Sequence, residues 1–435
     1  MYKKSLCQKS VYSKEPMHQK PLWSQSVRNE KSLWEVKRFF TTILFLFISA
    51  SPLSALSDRG EISLTDYWIR PIPTSSNLFN KGLTKGKESN FISTPENCGI
   101  CHKQQYEDWK FTRHSKSTGA GLTGQLMPLA NPAEALSCYF CHAPSIEQNE
   151  NVSAKNVSGS YSNNPSFNPK LRKTGVSCFV CHMREGKIYG PKISENLQTE
   201  TPIDKNLLFG HKFIEKNFFE DARFCAACHQ LEKGYKLNGK ILVNTYNEWK
   251  ESIYGKANII CQKCHMPGRK HLFKGIHDKE TTLKGLSLEL KKIEEAEKFK
   301  IKLIITNSGV GHYFPTYVTP LVVVKAYIID EKGKIIDKTL KEAFIGRMVS
   351  LDLNRELYDT RIAPGKSFEF PYEADKQLLG QNKIVIEVKV YPDMFYNAFY
   401  RSLLKNGRYS DKNAILSALK STEESPYLLW KQNLP

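Results

Sequence analysis

Long apolar runs are missing from this chain. No stretch reaches the roughly 20 residues of an ordinary membrane-spanning helix, which argues against a multi-span membrane protein. Acidic residues are in short supply: 44 Asp and Glu stand against 63 Lys and Arg, for a formal charge of +19. That imbalance asks for an anionic counterpart. Solitary cysteines are almost absent too. Of eleven cysteines only Cys7 stands outside a C-x-x-C pair, which leaves nothing for a long-range disulfide framework. What remains is ample for a folded protein. The hydrophobic fraction of 40% allows a packed core, and 435 residues allow two or three domains.

Residues 1–57 read as a secretory signal peptide. Lys37-Arg38 precede the apolar run Phe39 to Ala50, and small residues follow. That is the basic, apolar, small-residue order of an exported leader. Cleavage is expected between Ala50 and Ser57. The part before Lys37 is too long for a basic region, so the true start is expected downstream, at Val36 from an alternative start codon. The competing reading is an uncleaved anchor, and membrane association is expected only in that case. Residues 58–94 read as a linker. The leader carries nine Lys/Arg and three Asp/Glu, so the rest of the chain is still basic, at about +13. Exported proteins rarely meet nucleic acid, and these basic residues are scattered. No nucleic-acid partner is expected. The expected location is the periplasm or another exported compartment of a bacterium.

The ten remaining cysteines form five pairs of one spacing, each followed by histidine. They are Cys98-Cys101-His102, Cys138-Cys141-His142, Cys178-Cys181-His182, Cys225-Cys228-His229 and Cys261-Cys264-His265. C-x-x-C-H is the attachment signature of c-type haem. Two thiols one helical turn apart can reach the two vinyl groups on one porphyrin edge. The adjacent imidazole then meets the iron from below. Structural zinc uses C-x-x-C as well, but it has no need of an adjacent histidine at every pair. A redox dithiol has no need of it either. The reading is five covalently bound haem c groups. Their propionates supply the missing anions, so the lysine excess reads as counter-charge.

The second axial position on each iron separates carrier from enzyme. With His18 in the leader and five histidines proximal, five remain: His114, His211, His271, His277 and His312. Five spare histidines for five irons permit bis-histidine ligation throughout. If 101–114 is helical, His114 advances roughly 18 Å and turns about 120° from His102, so the two cannot share an iron. His271 and His277 flank the stretch LFKGI, and His211 sits in an apolar segment. Met127, Met183 and Met266 are thioether candidates. Met183 and Met266 directly follow proximal histidines, so packing against porphyrin is their expected work. Tyr106 and Trp109 are expected to pack against haem.

Three stretches carry a family resemblance. CGICHKQQYEDWKFTRHSKS, from Cys98, resembles the C-x-x-C-H-x3-Y-x2-W-x4-H pattern of multihaem cytochromes c. Those are the tetrahaem electron carriers of ammonia oxidisers and the hydroxylamine oxidoreductase superfamily. The segment from Cys225 to Pro267 resembles their paired-haem region, with Thr245, Glu248, Trp249, Ser252 and Tyr254 fitting a T-x-x-E-W-x-x-S-x-Y helix. Gly175 to Pro191 is similar to their middle haem segment. The resemblance spans roughly residues 95–395 and implies that His114 is a distal ligand to a neighbouring haem. A fourth stretch, TNSGVGHYFPT from Thr306, resembles an N-x-G-x-G-H-x-x-P-T loop of multihaem cytochromes with a C-terminal β-domain. It implies that His312 faces a haem. Tyr317 stands where that loop continues with glycine.

The fold class expected is α+β. A haem-packed, mostly helical and loop-rich domain covers 95–280, and an antiparallel β-sandwich covers 285–393. Alternating runs such as Phe299 to Ile305 and Leu321 to Ile329, with turns EKGK and APGK, carry the second assignment. Residues 394–435 read as a short amphipathic helix and a polar tail. The glycines of the His312 loop are expected to permit a tight turn. Ser145 to Lys170, rich in Asn and Ser, reads as a mobile surface loop.

The function expected is electron transfer through closely packed, mainly bis-histidine haems. Its partners would be redox proteins or a quinol-oxidising membrane complex. The alternative is an oxidoreductase acting on a small nitrogen or sulfur oxyanion at one open-coordinate haem. No C-x-x-C-K occurs, so the lysine-ligated site of one nitrite reductase class is absent. A third reading, compatible with the first, makes the β-domain a docking module.

Overall fold

A computed structural model describes residues 62–72, 94–126, 132–153, 161–192, 214–232, 234–409 and 411–435. The expected leader, most of the linker, Met127 and His211 lie outside the described residues.

The first half is built from short helices: α1 Pro95–Cys101, α2 Lys103–Trp109, α3 Ala120–Leu126, α4 Pro132–His142, α5 Cys178–His182, α6 Ala222–His229, α7 Thr245–Glu251 and α8 Cys261–His265. Local chemistry starts them. Thr94 Oγ1 accepts the Asn97 N–H ahead of α1, with Pro95 at the first position. Asp221 accepts the Arg223 N–H ahead of α6. Most of these helices end on or just before a proximal histidine.

Residues 62–72 do not behave as linker. Tyr67 and Ile72 are fully buried. Tyr67 Oη donates to the Cys181 carbonyl at 2.6 Å, and Arg184 Nε donates to the Tyr67 carbonyl at 2.6 Å. This segment is aromatic and apolar, and it closes one side of the helical region.

The Asn/Ser-rich stretch from Ser145 to Lys170 is corrected only in part: Ser162, Asn163, Pro165 and Ser166 are exposed, as a surface loop would be. Among its described residues, Ser145, Glu147, Gln148, Asn149 and Asn164 are buried. Gln148 Nε2 donates to the carbonyls of Leu171 and Gly175, and Asn164 Nδ2 to those of Ile146 and Asn149. These amides are spent on carbonyls inside the stretch and beside it, and a short ladder between 151–153 and 161–163 pairs part of its backbone.

The second half is an antiparallel β region. Its strands are β1 Leu286–Glu294, β2 Lys298–Asn307, β3 Leu321–Ile329, β4 Lys341–Ile345, β5 Arg347–Val349, β6 Glu356–Asp359, β7 Ser367–Asp375, β8 Lys383–Tyr391 and β9 Tyr427–Leu434. One sheet runs β4-β3-β8-β9, a second β7-β2-β1, and β5 pairs with β6. On β2 burial alternates strictly, with Phe299, Ile301, Leu303 and Ile305 inward. These side chains share one core with Val322, Val324, Ile328, Ile384 and Ile386 of the other sheet.

The chain does not finish as a polar tail. Helix α9 Met394–Asn406 is followed by α10 Lys412–Glu423, and β9 then joins the edge of the four-stranded sheet. Leu429 and Leu434 point into the shared core from β9. The two helices pack on α3 through Tyr400, which donates to the Gly121 carbonyl at 2.6 Å. An added Cβ on Gly124 would stand 2.7 Å from the Tyr400 ring, so a glycine is needed there.

Arg347 is the largest fully buried side chain and ties the halves together. It donates to the carbonyls of Leu237 and Ile241 at 2.8 Å each, and to Glu356 at 2.8 Å.

Candidate haem-binding site

In each C-x-x-C-H the cysteines lie three apart on one helical turn, so both thiols leave the same face. His142, His182, His229 and His265 are the last residues of their helices, and His102 follows α1 directly. None of these ten cysteines is paired in a disulfide.

Hydrogen bonds on the imidazoles set their chemistry. His142 Nδ1 donates to the Ser117 carbonyl at 3.0 Å, His182 Nδ1 to Tyr189 at 2.8 Å, and His265 Nδ1 to Lys274 at 2.7 Å. His271 Nδ1 and His312 Nδ1 donate to the carbonyls of Arg269 and Tyr313. A carbonyl only accepts, so these rings carry the proton on Nδ1 and keep the Nε2 lone pair free for a metal. Burial, above all, holds His114 at about 3 and His182, His229 and His312 at about 4. All four are therefore neutral at pH 7, as ligands must be.

The decisive geometry is the facing of imidazoles. His114 and His229 have ring centres 6.2 Å apart, His182 and His271 6.2 Å, and His265 and His312 6.3 Å. A metal–imidazole nitrogen bond is about 2 Å, so two rings on opposite faces of one iron stand roughly 6 Å apart. Each pair joins a proximal histidine to one from another part of the chain. Among the described residues no group of three or more His, Cys, Asp or Glu gathers as a metal cage. What they offer is facing pairs.

His277 is placed differently. Among the described residues its imidazole meets Asp393, with Nε2 at 3.0 and 3.1 Å from the two carboxylate oxygens. Tyr106 and Trp109 lie against each other at 6.1 Å, and Trp109 Nε1 donates to the Val176 carbonyl at 2.8 Å. Met183 is buried in a small cluster with Ile72, Leu171, Phe179 and Val180.

Buried donors give an independent test of fit. Arg184 is 3% exposed, its ring neighbour is Tyr67 at 3.8 Å, and its Nη2 has no acceptor among the described residues. Arg70 donates to Cys228 Sγ at 3.0 Å and to the Ala227 carbonyl, but its buried Nε has none. Buried guanidinium groups require anions. A haem propionate is such an anion; because propionates lie on the porphyrin edge opposite the thioether edge, a neighbouring haem, not the one held by the adjacent cysteines, would supply it. The residues present fit haem.

The attachment sites also adjoin one another. Cys178 neighbours Cys98, Cys141 neighbours Cys228, and Cys225 neighbours Cys261. Cys181 also lies near Cys228. The fourth site thus meets the second, third and fifth.

The His312 loop is seated by the helical half. Its glycines do not have positive φ; they are required for space. A Cβ on Gly309 would lie 2.6 Å from the Lys284 carbonyl oxygen, and one on Gly311 3.2 Å from Trp249. Beneath the loop, Glu248 accepts from the Tyr313 N–H at 3.1 Å, Thr316 Oγ1 at 2.7 Å and Arg361 Nη1 at 3.0 Å. Burial raises the Glu248 carboxyl against those donors. Arg361, Arg70 and Arg184 were not legible as site residues, because no local spacing marks a cation that pairs over long range.

The family profile of cytochrome c554 and c-prime matches residues 97–183, which hold the first three attachment motifs. With the fold, this match supports a multihaem c-type cytochrome carrying covalently bound haem c. The fold likeness is to a penta-heme cytochrome c552 from Thermochromatium tepidum. The two share 16% identity over 79% of this chain and 98% of that one, with a TM-score of 0.50. A beta-glucosidase 3B from Thermotoga neapolitana aligns at 15% identity over 35% of this chain and 17% of its own. Its TM-score of 0.13 carries no argument. Among curated proteins, none matches the chain. No helix among the described residues is long and apolar enough to cross a membrane.

Proposed function

We propose that this chain is an exported pentahaem electron carrier that passes electrons between periplasmic or membrane redox partners. The observation that carries the reading is the three facing imidazole pairs at 6.2–6.3 Å. On this reading His182 with His271, His229 with His114, and His265 with His312 hold the third, fourth and fifth irons, and His102 and His142 are proximal at the first and second. When bound, haem supplies a one-electron iron couple. The chain's residues orient the ligands through Nδ1–H donors, neutralise propionates with buried arginine, and keep the attachment edges in contact.

The order of those contacts supports a path from the first site through the third to the fourth, with branches to the second and fifth. Cys101 and Cys264 are the exposed attachment cysteines, so the first and fifth sites are the proposed exchange points. The kinship with tetrahaem carriers and the hydroxylamine oxidoreductase superfamily is part of this reading, supported by the Thr245 to Tyr254 pattern. So is a sandwich arrangement of the two larger sheets, supported by their shared core.

Electron paramagnetic resonance on the oxidised protein tests the proposal. A carrier gives low-spin signals that nitrite and cyanide leave unchanged. A high-spin ferric signal that shifts on adding either anion would replace it with the oxyanion oxidoreductase.

A further inference from the structure

The β region reaches into the helical region through one loop, and a buried carboxylate grips it. From Thr306 to Tyr317 the loop carries two side chains to the attachment sites. His312 faces His265 at 6.3 Å, and the Tyr317 hydroxyl meets His229 Nδ1 at 2.5 Å. The β-region end is tied by Asn307, whose Nδ2 donates to the His312 and Ile362 carbonyls at 2.9 Å each. From the helical region, Tyr254 Oη donates to the Ser308 carbonyl at 2.7 Å. Further along the loop it is met by Glu248 of α7, which is 5% exposed.

The two carboxylate oxygens have separate partners. Oε2 accepts from the Tyr313 N–H at 3.1 Å and from Thr316 Oγ1 at 2.7 Å. Oε1 accepts from Arg361 Nη1 at 3.0 Å. Tyr313 directly follows His312, and its own carbonyl accepts from His312 Nδ1 at 2.9 Å. Thr316 directly precedes Tyr317. One oxygen therefore holds the neighbour of each side chain that reaches an attachment site. Thr316 keeps a second partner in Thr245 Oγ1 at 2.9 Å, but the Tyr313 N–H has no other acceptor among the described residues. Without Oε2 that donor is stranded, and the loop has to shift to satisfy it. A ligating imidazole must be held within about 0.5 Å of its place, so such a shift takes His312 off the iron.

We propose that Glu248 Oε2 is the latch that keeps His312 on the fifth iron and the Tyr317 hydroxyl on His229 at the fourth. The inference rests on the reading of His312 and His229 as iron ligands. Glu248 touches neither imidazole. It is a positioning residue, and through one loop it sets two neighbouring sites together. With the latch released, the fifth iron loses its second imidazole and becomes open to small anions. The fourth keeps both imidazoles but loses the hydroxyl behind His229, and such partners tune a ligated metal. The latch thus separates a closed carrier from one with a reactive iron.

The test is electron paramagnetic resonance with cyanide titration on the haem-loaded full chain. Two reference variants supply the signatures: His312→Ala for an open fifth iron, and Tyr317→Phe for a fourth site without its hydroxyl. Glu248→Ala is expected to show both at once. One low-spin signal gives way to a high-spin signal that cyanide abolishes, a second low-spin signal shifts, and the rest stay in place. Glu248→Gln can keep its carbonyl oxygen on Tyr313 and Thr316 while giving up the ion pair with Arg361. It is expected to lose stability and retain the wild-type signals. If Glu248→Ala fails to load haem, Thr316→Val decides, with the same two signals disturbed in part of the molecules. Wild-type signals in the haem-replete Ala variant, or in the Val variant standing in for it, would overturn the inference. So would a Gln variant as open as the Ala variant. A wild type that itself takes cyanide would strike at the carrier reading instead, and the contrast between Ala and Gln would still decide the inference.

Discussion

The two halves of this molecule are stabilised by different means. In the β region 21 buried residues form one continuous hydrophobic cluster. In the helical region the cluster around Phe179 holds five among the described residues. Its helices are short and its polar loops are wired by side-chain amides to carbonyls. The β region makes its own core from sequence. On the proposed reading the helical region leaves that role to macrocycles fixed by cysteine, and its order would depend on covalent attachment.

The largest expected effect breaks this comparison at its base. Replacing both Cys225 and Cys228 by serine should cost the helical region its cooperative fold while the strands remain. Circular dichroism with limited proteolysis of the full chain checks it. A haem-free fourth site inside a helical region of unchanged thermal stability would refute the contrast. The reverse experiment is Leu303→Ala, which empties a fully buried position in the β core. It should cost about 3 kcal/mol in denaturant unfolding of the β region and leave the haem absorption spectrum unchanged.

The junction offers an intermediate case. Burial alone would raise the Asp359 carboxyl, but Arg361 and Lys240 hold it well below its ordinary value. Its folded value therefore lies under its unfolded one. The stability it lends is fully present above the usual carboxylate range and is lost as pH falls through the folded value. Contact between the halves, followed by amide hydrogen exchange around Arg361, should hold at pH 7 and loosen only below about pH 4. Asp359→Asn should cost about 2 kcal/mol at pH 7 and flatten that acid dependence. The smallest effect belongs to the exposed pair Lys302–Glu369, at 2.9 Å across β2 and β7. Lys302→Ala should change unfolding by less than about 0.5 kcal/mol.

What was legible in the sequence follows the same division. The strands could be read because alternation is local, and the attachment sites because C-x-x-C-H is contiguous. The facing of His114 to His229 could not be read, since it depends on how distant helices settle around a shared centre. The reading of Ser145 to Lys170 as a surface loop covers Ser162, Asn163, Pro165 and Ser166, which are exposed, but composition does not reveal that Gln148 and Asn164 spend their amides on buried carbonyls. The strand β9 was missed for a related reason. Its inward residues Leu429 and Leu434 are few, and its pairing partner β8 is remote in sequence. Tyr317 was visible only as a departure from the loop it resembles, because its contact with His229 joins residues 88 apart in sequence.

The central claim is that thioether-linked porphyrins complete the helical region. Intact mass spectrometry of the chain, produced in a host that matures cytochromes c, tests it most directly. The account predicts a mass exceeding the polypeptide by five haem groups, with ten thiols resistant to alkylation under denaturing conditions. A colourless protein of polypeptide mass with freely alkylated cysteines would contradict it.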